Sequence, residues 1–186
     1  MPPKVKVSKE DIVNTAVEIV RQRGDQVINA RVLAAELNCS TQPIFSNFAT
    51  MEQLRLAMIE KMSQVYYDYL AREVAAGQYP AYKASGMAYI RFAKEEKEMF
   101  KLLFMCDRTG APIQEDAKDF DQMVDLVRSG DGLDQEAARL FHLEMWVVVH
   151  GIATMFATGY LDLDWELVSR MLTDTYQGLR KQYNME

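Results

Sequence analysis

The fold of this chain is decided by the stretch Leu33-Ala-Ala-Glu-Leu-Asn-Cys-Ser-Thr-Gln-Pro-Ile-Phe-Ser-Asn-Phe48. Its pattern predicts two short helices, over residues 30–37 and 41–47, joined by the three-residue turn Asn38-Cys39-Ser40. Asn38 suits the left-handed conformation that ends a helix, because asparagine tolerates that backbone better than most residues. Ser40 is of the type that caps the next helix. The stretch therefore predicts two helices with a sharp turn between them.

Pro43 fixes where the second of these helices begins. With Ser40 as the cap, Pro43 takes the third helical position, where no hydrogen bond within the helix is lost. A proline at this place is compatible with the helix and marks its first turn.

The spacing has the geometry of a helix-turn-helix, in which the second helix enters the major groove of DNA. Ile44 and Phe48 would point back into the core. Small polar side chains would face outward, namely Thr41, Gln42, Ser46 and Asn47. Glutamine and asparagine can pair with adenine, and a threonine methyl can touch thymine. The alternative that the residues leave open is a polar-faced helix of an ordinary bundle.

Outward from this stretch, apolar residues recur at helical spacing almost throughout, and the alternation typical of a strand is absent from the sequence. Ser8 is a plausible cap for the first helix. The predicted fold is all-α, with about nine helices. Besides the helices over 30–37 and 41–47, the predicted helices cover about 8–23, 50–76, 81–96, 97–106, 113–129, 134–159 and 164–182.

The N-terminal region resembles the DNA-binding domain of the tetracycline-repressor (TetR/AcrR) family. The resemblance rests on the stretch Ile12 to Val20 with Gly24, on residues 33–48, and on Glu52-Gln-Leu54. It implies a DNA-binding domain over 1–50, which helix 4 joins to a ligand-binding and dimerisation domain over 51–186. The DNA-contacting residues carried over by the resemblance and the residue types are Arg31, Ser40, Thr41, Gln42, Pro43, Phe45, Ser46, Asn47 and Thr50.

Four positions depart from the family pattern. Asn38 and Cys39 replace the usual glycine and valine. Phe45 replaces a tyrosine whose hydroxyl commonly reaches a phosphate, and Met51 replaces a lysine. Phosphate contacts would then come from other groups, for which the candidates are Arg31, Thr50, the amides of helix 4, and the basic tail of Lys4, Lys6 and Lys9.

The segment Trp146-Val-Val-Val-His150-Gly151 resembles the Trp…His-Gly signature of a class of TetR-type regulatory domains. Trp146 and His150 lie four residues apart and would share a helix face. Gly151, Ala153 and Ala157 would let another helix approach closely. The resemblance implies a homodimer in which helices 134–159 and 164–182 pack against their symmetry mates as a four-helix bundle.

Large adaptable side chains in the middle and C-terminal regions would form either core or an apolar pocket for a small effector. Sequence alone leaves this choice open for each of them. The candidate ligand contacts are Tyr66, Tyr69, Phe92, Phe100, Phe104, Phe120, Trp146 and His150.

The balance of apolar and charged residues is that of a folded globular protein. The formal charge of −6 belongs to the C-terminal part, because residues 1–55 hold seven Lys/Arg and six Asp/Glu. No export signal precedes the first helix, and the 17-residue uncharged run Met145–Leu161 is short for a membrane span, which needs about 20 residues. We therefore expect a cytoplasmic protein without a membrane partner.

Other kinds of site have weak sequence support. His142, Glu144 and His150 are a poor metal set, and no pattern typical of an enzyme or of a bound cofactor is present in the sequence. The expected function is a ligand-responsive transcriptional regulator, most simply a repressor that binds palindromic operator DNA. The alternatives are a helical small-molecule-binding or protein-interaction module without specific operator binding and, less well supported, a helical enzyme.

Overall fold

The structure, a computed structural model, describes residues 7–105 and 114–184, with the backbone only of residues 114–119 and 130–131. Within this part of the chain there are nine α-helices and no strands, as predicted. The helices are α1 Lys9–Arg23, α2 Ala30–Glu36, α3 Gln42–Asn47, α4 Met51–Ala75, α5 Ala81–Glu95, α6 Lys97–Phe104, α7 Gln114–Asp131, α8 Gln135–Thr158 and α9 Trp165–Gln182.

Helix boundaries follow the predicted punctuation closely. Ser8 caps α1 through a reciprocal pair with Asp11, whose backbone N–H donates to Ser8 Oγ at 3.0 Å. The Ser8 hydroxyl and backbone N–H donate to Asp11 Oδ2 at 2.7 and 2.9 Å, and these bonds hold the pKa of the Asp11 carboxyl below its usual value. Helix α6 ends at Phe104, with Met105 in the cap position, two residues before the predicted end at residue 106. The predicted connection 107–112 lies outside the described residues.

The described residues pack as two compact units. The first consists of residues 7–67 with 96–105, and the second of residues 68–95 with 114–184. Residues 51–67 thus pack with the N-terminal helices. The functional boundary predicted at residue 50 is a separate matter and stays a prediction.

In the first unit, α1 packs against α2, α3 and α6. Its apolar stripe is buried, with Ile12, Ala16 and Val20 fully inaccessible to solvent. Leu33 from α2 and Ile44 from α3 are equally buried. Burial of a large aliphatic side chain stabilises a fold by about 1.5–3 kcal/mol, so these contacts hold the short helices that would be unstable alone.

In the second unit, α8 is the central helix and packs against α5, α7 and α9. A cluster around Phe141 and Met145 is closed by partly buried aromatic rings, among them Tyr176 and Tyr183. Gly86 of α5 lets α8 approach closely, because a Cβ atom there would lie 3.3 Å from Val149 Cγ2. The small residue therefore sets the distance between two helices.

By length and composition α8 could cross a membrane, but 44% of its apolar window is buried inside the protein. The core helix of a water-soluble protein meets the same criterion, so this observation is weak evidence for a membrane span.

Candidate nucleic-acid interface and effector region

The turn between α2 and α3 is built from backbone geometry. Asn38 has φ 51°, the left-handed conformation expected of it. The N–H of Cys39 donates to the carbonyl of Ala34 at 2.9 Å, which closes the end of α2. At its start, α2 is capped by Asn29, whose Oδ1 accepts from Arg31 and Val32. Both ends of α2 are thereby fixed ahead of α3.

The predicted cap of α3 is wrong by one residue. Helix α3 begins at Gln42 with Thr41 in the cap position, and no side chain caps it. Thr41 already has helical dihedrals, φ −70° and ψ −14°, so the chain enters the helix directly from the turn and has no use for Ser40 as a cap. Pro43 consequently takes the second helical position, where its missing N–H still costs no hydrogen bond.

Helix α3 has one buried side and one exposed side, as predicted. Ile44 and Phe48 are 0% and 3% exposed and hold the helix on the core. Gln42, Phe45 and Ser46 are exposed, whereas Thr41 and Pro43 are half-buried and Ser40 is exposed in the turn before them. The exposed side thus offers an amide, an aromatic ring and a hydroxyl.

Ser46 and Asn47 already have hydrogen bonds within the protein. Ser46 Oγ donates to the carbonyl of Gln42 at 2.9 Å. The amide Nδ2 of Asn47 donates to the carbonyl of Pro43 at 2.8 Å and lies 3.5 Å from the carbonyl of Val7. The adenine contact predicted for Asn47 would have to compete with these bonds, whereas Gln42 is exposed on the outer side of the helix.

Thr50 and Gln53 close the start of α4. The N–H of Gln53 donates to Thr50 Oγ1 at 3.2 Å, and the N–H of Ala49 donates to Gln53 Oε1 at 3.0 Å. The sequence contained this signal, since Thr-x-x-Gln is a capping-box pattern. Gln53 was therefore a positioning residue that the sequence prediction missed.

The cations of the first unit differ in how much of their charge is compensated. Arg21, Arg23 and Arg55 form ion pairs with carboxylates, and Lys9 lies over the ring of Phe48 at 5.1 Å. Arg31 is exposed at the start of α2 and has no ion-pair partner among the described residues. Lys4 and Lys6 lie outside the described residues. Arg31 therefore stays a candidate for a phosphate contact.

The candidate ligand contacts are divided between the two units. Tyr66, Phe100 and Phe104 belong to the first, where the Tyr66 and Phe104 rings meet edge-on with centroids 5.3 Å apart. Phe100 is fully buried and packs against Phe104 at 5.3 Å. These three side chains pack on one another inside the first unit.

Two more candidates, Tyr69 and Phe92, belong to the second unit and contact each other edge-on at 5.4 Å. Tyr69 also donates its hydroxyl hydrogen to Glu95 Oε2 at 2.8 Å. Phe92 is fully buried. Phe120, by contrast, lines an open groove of about 510 Å³ beside α8, and the guanidinium of Arg139 lies 5.4 Å from its ring centroid.

Trp146 and His150 share a face of α8 as predicted. Their rings are stacked, with centroids 4.9 Å apart and planes at 17°. Trp146 is 40% exposed, and His150 Nδ1 lies 2.9 Å from the hydroxyl of Tyr89. Burial lowers the pKa of His150 below its ordinary value.

His142 repeats this arrangement further toward the N-terminus of α8. Its Nδ1 lies 2.8 Å from the hydroxyl of Tyr82, and the ring of Phe120 lies 4.7 Å away. Burial lowers the pKa of His142 to about 4. Both histidines are therefore hydrogen-bonded to tyrosines of α5, and sequence reasoning missed these partners although the tyrosines are seven residues apart and the histidines eight.

One side of α8 exposes a continuous set of apolar side chains. Gly151 faces open space on the same side, whereas Ala153 and Ala157, which were expected to share its role, are buried inside the unit. Gly178 of α9 also faces open space. The exposed apolar residues of this surface, named here the α8 face, are Leu140, Leu143, Val147 and Met155.

Comparison with known proteins agrees with this architecture. The sequence profile described as "Tetracyclin repressor-like, C-terminal domain" matches residues 82–175. The solved structure of "a TetR-like transcriptional regulator from Rhodococcus sp. RHA1" has the same fold, with a TM-score of 0.70, 15% sequence identity, and 98% of each chain covered. The search of curated proteins found no match.

The fold and the helix pair α2–α3 define an all-helical protein with a helix-turn-helix arrangement. Because the family profile covers half of the sequence, the identification goes one step further: the chain belongs to the tetracycline repressor-like family of transcriptional regulators.

Proposed function

We propose that this protein is a ligand-responsive repressor that binds palindromic, double-stranded operator DNA as a homodimer. The observation that carries the proposal is the exposed side of α3, where Gln42 and Ser46 stand on a helix anchored by two buried side chains. A helix presented in this way after a sharp turn fits the major groove.

Gln42 reads a base in this proposal, because its amide can pair with adenine N6 and N7. Arg31 and Thr50 hold the phosphate backbone, and the N-terminus of α4 supports them with its amides. Thr41, Pro43 and the backbone at Ser40 place α3 against the groove. Because the DNA-binding domain has few uncompensated cations, its operator affinity depends more on base contacts than that of a strongly basic domain does.

The homodimer forms through α8 and α9. The α8 face supports this assignment, since exposed apolar side chains of this kind beside two open glycines suit close packing of helices. Two-fold symmetry would then present two copies of α3 to the two halves of a palindrome.

A small, largely apolar effector releases the operator. One support is the large number of aromatic side chains C-terminal to the helix-turn-helix. The other is helix α4, because its residues 51–67 pack in the first unit and its residues 68–75 pack in the second. Binding that favours one position of α4 would alter the spacing of the two α3 helices and lower the operator affinity. The protein works in the cytoplasm without a cofactor, and no catalysis is part of this function.

The second candidate function is a helical small-molecule-binding or protein-interaction module that has lost specific operator binding. Two sequence features favour it: Phe45 lacks the hydroxyl of tyrosine, and Met51 lacks the charge of lysine. The internal pairing of three arginines in the first unit reduces the charge available to DNA further.

A gel-shift titration with DNA from the protein's own promoter region distinguishes these candidates. The repressor proposal expects a sequence-specific complex that weakens as salt rises. Random DNA of the same length and composition is the control. Absence of a specific complex at every protein concentration would favour the second candidate.

A further inference from the structure

Phe45 is exposed on α3 without a structural reason. Its ring is 51% exposed, whereas the apolar residues on either side of it in the helix pattern, Ile44 and Phe48, are buried. Among the described residues, no aromatic ring stacks on Phe45 and no cation lies over it. The helix is already anchored, so this ring contributes little to holding α3 in place.

The position of Phe45 relative to Gln42 and Ser46 restricts what it can contact. The three residues stand at i, i+3 and i+4 on the exposed side of one helix, where Cβ atoms lie about 5–6 Å apart. Neighbouring base steps of a DNA strand are about 3.4 Å apart. The ring and the Gln42 amide therefore reach bases one or two steps apart.

We propose that Phe45 recognises thymine in the operator by apolar contact with its C5-methyl group, a role that rests on the DNA-binding function proposed above. In the major groove, thymine is distinguished by a methyl group, and phenylalanine is among the side chains that contact it. A ring without a hydroxyl has no hydrogen bond to offer a phosphate. The replacement of tyrosine by phenylalanine thus exchanges a backbone contact for a sequence-reading one.

This role makes a prediction about the operator sequence. Each half-site contains an adenine read by Gln42 and, within one or two steps, a thymine read by Phe45. Removing a methyl group that is buried in the complex should weaken binding about fourfold per half-site, or about fifteenfold for a palindrome, from the usual free energy of burying one carbon.

The experiment begins with selection of binding sites from a random DNA library. In the selected site, each thymine is replaced by deoxyuridine, which lacks only the methyl group, and the Kd is measured. We expect the affinity of the wild-type protein to decrease about fourfold for each half-site in which one particular thymine is replaced. Phe45→Ala should bind the thymine and deoxyuridine sites equally.

Two controls make the outcome specific. Leu56→Ala removes another exposed apolar side chain of the first unit, 59% exposed, and should leave the thymine preference unchanged. Circular dichroism should show that Phe45→Ala is folded, since its ring is half-exposed.

The possible failures are distinguishable. If no site is enriched by selection, the DNA-binding function itself is wrong. If a site is enriched but deoxyuridine has no effect, or if Phe45→Ala retains the full effect, the role of Phe45 is wrong and the DNA-binding function stands.

Discussion

At the scale of single residues, neighbouring polar side chains on α3 have different surroundings. Gln42 is exposed, whereas Asn47 donates its amide hydrogens to the backbone. The sequence could identify both as adenine-pairing types. It could not separate them, because residue types alone do not show that the Asn47 amide donates to the carbonyl of Pro43 at 2.8 Å and lies 3.5 Å from that of Val7. The sequence therefore predicted which side chains have the chemistry to pair with a base, but not which of them are exposed to do so.

Gln42→Ala should relax sequence preference. Loss of a bidentate pair with adenine should weaken binding by about 1–3 kcal/mol at one base position per half-site. On operator variants in which that base has already been changed, the substitution should have almost no effect on binding. The measurement is Kd on a set of single-base operator variants. Equal weakening on every variant would show that Gln42 contacts only phosphate.

Arg31→Ala is the matched comparison. It removes the exposed cation at the start of α2, so binding should weaken uniformly across the variants. The slope of log K against log salt should become shallower by about 1 for each phosphate that Arg31 no longer neutralises. Weakening confined to one base pair would contradict this assignment.

At the scale of helices, the second unit contains a nearly buried charge pair between α4 and α5. Arg91 Nε lies 3.1 Å from Glu73 Oε2, and Glu73 is only 8% exposed. The guanidinium also covers the ring of Trp165 at 4.5 Å. Periodicity located all three helices in the sequence, but it gave no sign of this pair, since its partners are 18 residues apart on different helices.

Arg91→Met should destabilise the protein because it leaves a carboxylate buried without its partner. We expect a loss of about 2–3 kcal/mol, below the full range for buried pairs since Arg91 is partly exposed. The double variant Glu73→Leu with Arg91→Met should recover most of the loss, as a buried charge is no longer present. Urea unfolding measures all three.

Arg170→Met is the control for this prediction. This substitution breaks the ion pair of Arg170 with Asp174, in which the two side chains are 77% and 68% exposed. The free energy of unfolding should decrease by less than about 0.5 kcal/mol. A similar loss in both arginine variants would show that burial of Glu73 is unimportant.

At the scale of the whole molecule, the sequence predicted the class of fold and the helix order well, since nine amphipathic segments leave few alternatives. It did not predict that 96–105 would pack with the N-terminal helices, because that pairing depends on residues far apart in the chain. Which of the candidate aromatic residues line a ligand pocket stays a prediction. Aromatic residues at helical spacing look alike whether they fill a core, as Phe92 and Phe100 do, or line a groove, as Phe120 does.

The stability of the protein should decrease as the pH is lowered from 6.5 to 4, because of His142. Its pKa is about 4 in the folded protein, against 6.5 for an unperturbed histidine, so only the unfolded state binds the proton between these values. The contribution is complete above pH 6.5 and falls by about 3 kcal/mol in total as pH approaches 4. Urea unfolding at fixed protein concentration measures it. His142→Gln should show a shallower pH dependence, and an unchanged slope would contradict the assignment.

The α8 face should determine the oligomeric state. Val147→Glu places a charge on a residue that is 58% exposed in the single chain, so folding should be kept while the proposed dimer dissociates. Light scattering after size-exclusion chromatography reports the mass. Val74→Glu, at a 45% exposed position of α4, should remain dimeric. A monomeric wild-type protein would refute the proposed interface.

The stack of Trp146 on His150 gives this protein an optical signal of its own. An indole ring that is 40% exposed beside an imidazole emits according to its solvent contact, so covering the neighbouring α8 face should shift its emission to shorter wavelength. The other tryptophan, Trp165, lies next to Arg91 and Lys94 at the start of α9. With Trp165→Phe, the emission of Trp146 alone would follow subunit association on dilution, without any added label.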